Sequence, residues 1–204
     1  MRRSATSPPS PARHLALIAV MAGIVAALGL VPAISVPGIS VPITAQTLGV
    51  MLAGALLGPR LGAAALALFI GLVALGLPLL SGARGGLGVL AGASGGFALG
   101  FILGAFVVGA LTWAFVVRAD GSYVVWRGLV ANLLGGVVAV YALGIPWLAW
   151  RAGLSLEQAF TGSMAFVPGD LVKVVVAAVV ARGVYAAYPG LGPARHATKE
   201  TTAV

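Results

Sequence analysis

The sequence predicts an all-α membrane protein with six transmembrane helices, and three observations support this fold class. Of the 204 residues, 60% are hydrophobic and 8% are charged, whereas soluble domains carry about 25% charged residues. The hydrophobic runs are continuous, which favours membrane-spanning helices of about 20 residues over the alternating strands of a β-barrel. The basic residues concentrate in alternate connections between these runs, as they do in multi-pass membrane proteins.

The hydrophobic runs give the order of the predicted elements. We expect helices over residues 14–30, 45–57, 61–77, 97–117, 124–150 and from about residue 168 onward. Together they form one transmembrane domain over residues 14–188, between a basic tail at 1–13 and a polar tail at 189–204 that we expect to be disordered. A basic tail before an apolar run also occurs in signal peptides, but the rest of the chain is equally hydrophobic. We therefore expect an uncleaved first span.

Three connections differ from ordinary solvated loops. Residues 31–44 are apolar but contain three prolines, which excludes a regular helix and is typical of either a lid over a cavity or an interfacial loop. Residues 78–96 are rich in glycine, which permits close backbone approach. The glycines are not followed by Gly-Lys-Ser/Thr, so they do not form a nucleotide-binding loop. Residues 154–166 resemble a short amphipathic turn.

The distribution of basic residues predicts the orientation. With six spans and both termini in the cytoplasm, nine basic residues lie on the cytoplasmic side and two lie outside. The inner set is Arg2, Arg3, Arg13, Arg60, Arg118, Arg127, Arg182, Arg195 and Lys199, and the outer set is Arg84 and Arg151. This arrangement brings the proline-rich segment, the glycine-rich segment and the start of helix six to the extracellular face. We expect a small-molecule site there.

Several classes of function are disfavoured by composition. The net charge of +8 is spread over helix ends rather than gathered on one face, so a nucleic-acid partner is not expected. The chain has no cysteine, and its two histidines, His14 and His196, lie outside the hydrophobic segments, so neither a metal site nor a cofactor is expected. We expect no catalytic residues, because the predicted spans hold few ionisable groups from which an enzyme site could be built.

Asp170 and Lys173 are the most informative residues. They are the only two charges placed inside a hydrophobic run away from its cytoplasmic end, and their spacing of three places them on one helix face. Intramembrane charges usually mark a site, because each costs about 3 kcal/mol at the bilayer centre. The pair is either a polar clamp for a ligand or a neutral pair that fixes the helix register. Arg84 either steers an anionic ligand or lies among headgroups.

Small residues recur on helix one at a spacing of four. Ala19, Gly23 and Ala27 form one row, with Ala22 and Ala26 beside it. Such rows allow close helix approach, either within the bundle or to a separate membrane subunit. Gly96, Gly100 and Gly104 form a similar row on helix four, which we expect to be a packing surface. Asn132 is expected to bond between helices.

Four motifs occur in order along the chain: Pro42-Ile43-Thr44-Ala45-Gln46-Thr47; residues 52–62 with Gly58-Pro59-Arg60; residues 85–90 with Gly95-Gly96-Phe97; and Pro168-Gly169-Asp170-Leu171-Val172-Lys173. Together they resemble the BioY family over about residues 14–185. Members of this family are biotin-specific S components, the substrate-binding membrane subunits of energy-coupling factor (ECF) transporters. Where that family often has Pro-Thr-Gly-Gly-Tyr, this chain has Ala93-Ser94-Gly95-Gly96-Phe97, which keeps a hydroxyl but loses a phenol.

The resemblance implies a function, a location and partners. It implies high-affinity biotin capture in the bacterial cytoplasmic membrane, with a transmembrane T subunit and two cytoplasmic ATPases as partners in the lipid bilayer. The implied ligand contacts are Asp170, Lys173, Ser94, Thr44, Gln46, Arg84, Gly86, Gly88 and Phe97. The implied docking residues are Ala19, Gly23, Ala22 and Ala26. The alternatives are an S component for another vitamin, biotin transport without the energising module, an intramembrane enzyme and a structural scaffold.

Overall fold

The structure is a computed structural model that describes residues 10–34, 41–188 and 191–192. Its regular elements are helices: α1 Pro11–Leu28, α2 Gln46–Ala74, α3 Leu87–Ala91, α4 Gly95–Leu111, α5 Val125–Asn132, α6 Val140–Ala152, α7 Leu156–Ser163 and α8 Val167–Ala187. A π-helical turn, Thr112–Val116, extends α4, and a second, Leu133–Ala139, joins α5 to α6. A 3₁₀ turn, Met164–Phe166, joins α7 to α8.

Helix α1 begins three residues before its predicted start. The Ser10 hydroxyl accepts a hydrogen bond from the Arg13 N–H at 3.4 Å, and a proline occupies the first turn. Both features are typical of helix N-termini, because the first N–H groups lack partners within the helix. Residues 11–13 of the predicted basic tail are therefore helical, and residues 1–9 lie outside the described part of the chain. Of the predicted C-terminal tail, only Leu191 and Gly192 are described.

Helix α2 contains a sharp reversal where two separate helices were predicted. Gly58 has φ 77° and ψ −177°, and Pro59 follows it. Beyond this point the chain turns back on itself. The evidence is the close contact between Gly62 and Ala53, where a Cβ at Gly62 would lie 2.8 Å from the Ala53 carbonyl oxygen. The two arms, residues 46–57 and 59–74, thus run antiparallel as a helical hairpin.

Five stretches of the described chain are long and apolar enough to cross a membrane. They are Pro11–Leu28, Gln46–Ala74, Gly95–Val116, Val125–Ala152 and Leu156–Ala187. Six spans were predicted. The count differs because the two arms of the α2 hairpin form one continuous apolar stretch, which is counted once. At 1.5 Å per residue its arms are about 18 Å and 24 Å long.

The glycine row on α4 packs as predicted. A Cβ at Gly100 would lie 2.8 Å from the Val140 carbonyl oxygen, and one at Gly104 would lie 2.8 Å from the Gly135 carbonyl oxygen. The backbones of α4 and the α5–α6 segment therefore touch, as small-residue rows in membrane helices allow. Val140, at the start of α6, therefore lies beside the middle of α4, and the start of α4 at Gly96 packs against Trp147.

The connecting segments gather at one end of the bundle. The Trp147 indole donates to the Gly92 carbonyl at 2.9 Å, and the Ser81 hydroxyl donates to the Val31 carbonyl at 3.3 Å. Ile34 and Ile43 pair through two backbone hydrogen bonds of 3.0 and 2.9 Å, which joins the ends of the proline-rich segment. The prediction that the proline-rich and glycine-rich segments lie together is confirmed for the described residues, and residues 35–40 lie outside them.

Residues 154–166 were predicted to form a turn, and that prediction is wrong. They form α7 and the following 3₁₀ turn. The Ser155 hydroxyl accepts from the Gln158 N–H at 3.1 Å, while the Gln158 side chain accepts from the Ser155 N–H at 2.9 Å. This reciprocal capping box satisfies two N–H groups that would otherwise oppose helix formation.

Candidate functional site

A cavity of about 610 Å³, including its mouth, lies at the end of the bundle where these segments meet. Most of its wall is aliphatic or aromatic. Its polar lining residues are Thr44, Gln46, Thr47, Arg84, Ser94, Tyr141, Asp170 and Lys173.

Asp170 is the centre of a hydrogen-bond network in this cavity. It is 2% exposed, and its Oδ1 accepts from the Lys173 ammonium at 2.9 Å and the Thr47 hydroxyl at 3.0 Å. Its Oδ2 accepts from the Tyr141 hydroxyl at 2.7 Å. The Lys173 ammonium also donates to the Thr47 oxygen at 3.0 Å. A buried carboxylate needs such partners, because burying an unpaired charge is strongly unfavourable.

The network leaves one acceptor and one donor available to a ligand. A carboxylate offers about four lone-pair directions, and the three bonds to Asp170 leave one on Oδ2. An ammonium has three N–H groups, and Lys173 uses two of them. Lys173 retains 15% side-chain exposure. The site therefore presents a hydrogen-bond acceptor on Asp170 next to a donor on Lys173. A ligand with an N–H beside a C=O can bond to both.

Three helix starts bring these groups together. Asp170 lies in the first turn of α8, after Pro168, where the helix dipole favours a negative charge. Lys173 follows one turn later on the same face, as predicted from the spacing. Thr47 is the second residue of α2. Tyr141 is the second residue of α6, directly after the π-helical turn that shifts the register of this segment.

Three aromatic rings form one wall of the cavity. Phe97 contacts Tyr141 edge to face, with ring centroids 5.9 Å apart, and contacts Phe166 in the same way at 6.0 Å. Tyr141 and Phe166 complete the triangle at 6.4 Å. Edge-to-face contacts at these distances are favourable beyond the area that they bury. The triangle also holds the Tyr141 hydroxyl in position against Asp170.

The predicted ligand-binding residues divide into two groups. Asp170, Lys173, Thr44, Ser94, Arg84, Gln46 and Phe97 line the cavity, whereas Gly86 and Gly88 are absent from its described wall. Gly86 instead adopts φ 89° and donates its N–H to the Val73 carbonyl at 2.7 Å. It thus supports the turn that leads into α3.

Gln46 borders the cavity, but its amide is already engaged. Its Nε2 donates to the Val25 carbonyl at 3.2 Å and the Leu79 carbonyl at 3.0 Å, and its Oε1 accepts from the Ser81 N–H at 3.2 Å. Gln46 is 1% exposed. Its side chain therefore links α1, the start of α2 and the glycine-rich segment.

Arg84 is half-buried at the mouth of the cavity. Its Nε donates to the Ser81 carbonyl at 3.0 Å, within a tight turn in which Leu80 and Arg84 exchange backbone hydrogen bonds. Gly82 has φ 79° and Ala83 has φ 53° in this turn. The turn holds the guanidinium beside the opening, where it can attract an anionic group.

The small-residue face of α1 is split between two environments. Ala19 and Gly23 are exposed, and a Cβ at Gly23 would meet nothing within 4 Å. Ala22 is buried within the bundle, and Ala26 is half-buried against it. Only Ala19 and Gly23 among the four predicted docking residues are therefore open to another chain.

Sequence reasoning missed two members of the polar network. Tyr141 was not singled out, although it is the only tyrosine in the predicted fifth helix. Thr47 was quoted within a motif but not as a site residue.

Asn132 donates to the Val174 carbonyl at 3.5 Å and so connects two helices, as predicted. Among the residues that the structure describes, no three His, Cys, Asp or Glu side chains converge as metal ligands.

The fold and the cavity define a multi-pass helical membrane protein with a cavity that holds a buried charged pair at one end of its bundle. The chain belongs to the BioY family, whose profile matches residues 1–190. The resemblance inferred from the four sequence motifs is thereby confirmed.

Individual relatives agree with this assignment. The biotin transporter BioY of Rhizobium etli is 51% identical over 184 residues, covering 90% of this chain and 98% of that protein. The biotin transporter BioY of Rhodobacter capsulatus is 47% identical, covering 83% and 92%. A crystal structure of the S component for biotin from an ECF-type ABC transporter superposes with a TM-score of 0.79. It is 30% identical in sequence, and the match covers 88% of this chain and 94% of that one.

Proposed function

We propose that this protein captures biotin with high affinity and delivers it across the membrane as the substrate-specific subunit of an ECF-type ABC transporter. The observation that carries the proposal is the buried Asp170–Lys173 pair, which lines a largely apolar cavity at one end of the bundle. The relatives named as biotin transporters and the structural match to a biotin S component support it. These proteins are transporters rather than enzymes.

The geometry of the polar network suits a cyclic urea. Biotin has a ureido head, an apolar body and a carboxylate. The remaining lone pair of Asp170 Oδ2 would accept a ureido N–H, and the remaining N–H of Lys173 would donate to the ureido oxygen. Phe97 and its aromatic neighbours would cover the bicyclic ring. Thr44, Ser94 and Arg84 lie on the cavity wall with polar groups that suit the carboxylate end.

The other predicted ligand residues take supporting roles in this proposal. Gln46 positions the glycine-rich segment through its three backbone hydrogen bonds. Gly86 and Gly88 shape the same segment and lie outside the described cavity wall. These assignments follow from the described cavity wall.

We further propose that the chain crosses the cytoplasmic membrane of the bacterium six times, with the α2 hairpin crossing twice. Arg13, Arg60, Arg118, Arg127 and Arg182 lie at the end of the bundle opposite the cavity, whereas Arg84 and Arg151 lie at the cavity end. The positive-inside rule then places the cavity outside and both termini in the cytoplasm.

The partners follow from the same assignment. A transmembrane T subunit and two cytoplasmic ATPase subunits would supply the energy, since this chain has no Walker motif. The exposed face at Ala19 and Gly23 is our candidate for the surface that contacts the T subunit, because it permits close helix approach.

Calorimetric titration tests the ligand and the site together. Biotin is titrated into detergent-purified protein that has been stripped of carried-over ligand, and we expect one-to-one binding. Asp170→Asn should weaken binding about tenfold to 100-fold, because the ureido N–H would meet a neutral amide in place of a carboxylate, and a hydrogen bond to a charged group contributes about 1.5–3 kcal/mol. Glu157→Gln is the matched control, since Glu157 is an exposed acid on α7.

The outcomes discriminate between the alternatives. Wild-type affinity in Asp170→Asn would contradict the site. If another vitamin displaces bound biotin at equal concentration, the chain is an S component for that vitamin. Uptake by cells that lack the T subunit and the ATPases would show that transport proceeds without the energising module.

A further inference from the structure

The end of the bundle opposite the cavity contains a second, open cleft. It lies between the connection from α4 to α5 and the end of α8, and its wall includes Arg118, Ser122, Tyr123 and Arg182. None of these residues takes part in the cavity described above. Both arginines are exposed, and within the described part of the chain no carboxylate lies within 4.0 Å of either guanidinium.

The groups that line this cleft include several hydrogen-bond donors, and the exposed carboxylate of Asp120 lies near enough to Arg118 to interact with it electrostatically. Val124 and Val125, at the start of α5, also line the cleft, and no side chain caps this helix. The first N–H groups of a helix lack partners within it and carry partial positive charge. Tyr123 is 7% exposed, and its hydroxyl has no hydrogen-bond partner among the described groups. Burial raises the pKa of Tyr123, so its phenol stays protonated, and its hydroxyl packs against Gly128 rather than opening into the cleft.

The position of the cleft relative to exposed aromatic residues indicates its depth in a membrane. Trp126, at the start of α5, is 58% exposed, and Tyr188, at the end of α8, is 66% exposed. Exposed Trp and Tyr residues concentrate at the level of the lipid headgroups. The two arginines therefore lie at the depth of lipid phosphates rather than within the hydrocarbon.

We propose that this cleft binds the phosphate of an anionic phospholipid headgroup, held by Arg118 and Arg182 at the uncapped start of α5. Two guanidiniums suit a phosphate, because each can donate two parallel hydrogen bonds to its oxygens. A zwitterionic headgroup fits less well, since its ammonium group would meet the same two positive charges. The cleft thus selects lipids by net charge.

Native mass spectrometry of the full chain in detergent tests this proposal. The probes are short-chain phosphatidylglycerol, the phosphatidylcholine of equal chain length and inorganic phosphate. We expect a one-to-one adduct with phosphatidylglycerol that survives excess phosphatidylcholine. The double variant Arg118→Ala/Arg182→Ala should weaken this adduct about 25-fold, since each basic residue near an anionic headgroup contributes about fivefold.

The matched control is Arg13→Ala/Arg60→Ala, which removes two exposed arginines from the same end of the bundle but outside the cleft. It should retain the adduct. Gel-filtration profile and helical circular dichroism establish that each variant is folded. The proposal is overturned by equal binding of the two lipids or by an unchanged adduct in the cleft variant.

Two further outcomes assign the cleft to another ligand. Displacement of the lipid by inorganic phosphate at equal concentration would make it a site for soluble anions. If the cleft variant keeps its lipid adduct but no longer copurifies with the T subunit, the arginines belong to a protein interface. Either result excludes a lipid site.

Discussion

The Tyr141 hydroxyl fixes the direction in which the Asp170 carboxylate faces the ligand. It occupies one of the two lone-pair directions of Oδ2, and the aromatic triangle with Phe97 and Phe166 holds its ring in place. Its hydrogen bond to a charged acceptor, at 2.7 Å, is of the short and strong kind. Tyr141 is therefore a positioning residue for Asp170.

Replacing Tyr141 with Phe tests this role. The change keeps the ring and removes only the hydroxyl, so we expect biotin affinity to fall about tenfold, in line with a charge-assisted hydrogen bond of about 1.5 kcal/mol. Calorimetric titration measures the change, and Tyr188→Phe, at an exposed position, is the control. An affinity equal to that of the wild type would show that Thr47 and Lys173 orient the carboxylate without Tyr141.

The polar network shows what could be predicted at this scale. Asp170 and Lys173 were found from sequence because they are three residues apart and unusual within an apolar run. Thr47 lies 123 residues from Asp170, and the contact depends on how α2 packs against α8. Gln46 was predicted as a ligand contact from the family resemblance, but its polar groups bind the backbone, and a sequence does not show which partner an amide finds.

At the scale of elements, the reversal at Gly58 decides how α2 is arranged. Its φ of 77° is one that residues with a Cβ rarely adopt, and a Cβ there would collide with the Trp113 ring. The Gly-Pro-Arg sequence predicted the break between two helices. The π-helical turns were not predicted, because they result from close packing rather than from a local sequence signal.

Substitution of Gly58 by Ala should therefore destabilise the hairpin. We expect a loss of about 2–3 kcal/mol from backbone strain and overpacking together. Thermal unfolding in detergent measures it as a lower transition temperature. Gly71→Ala is the matched control on the same helix, because a Cβ there meets nothing within 4 Å. A transition temperature in Gly58→Ala equal to that of Gly71→Ala would contradict the strain argument.

For the whole molecule, six spans were predicted from the sequence, whereas the structure has five apolar stretches. The two counts differ at the α2 hairpin. If the α2 hairpin crosses twice, the segments before and after it lie on the same side of the membrane. If α2 crosses once, they lie on opposite sides. The helix packing described above favours the first arrangement, because Gln46 bonds to Leu79 and Ser81.

Labelling of single cysteines distinguishes the two arrangements, and the natural chain has no cysteine to interfere. We expect Leu30→Cys and Ala83→Cys to react with an impermeant maleimide from outside intact cells. Ser122→Cys should react only after the cells are permeabilised. Opposite accessibility of positions 30 and 83 would show a single crossing and would overturn the proposed topology.

The short arms of the hairpin also have a consequence for the surrounding lipid. The hydrocarbon layer is about 30 Å thick, whereas the longer helical arm is about 24 Å, which leaves a mismatch of about 6 Å. Its outer surface meets lipid, since Leu68 is 39% exposed. A bilayer accommodates such a mismatch by thinning locally, at a fraction of a kcal/mol per ångström. Acyl-chain length thus becomes an energetic variable for this fold, and shorter chains relieve the deformation.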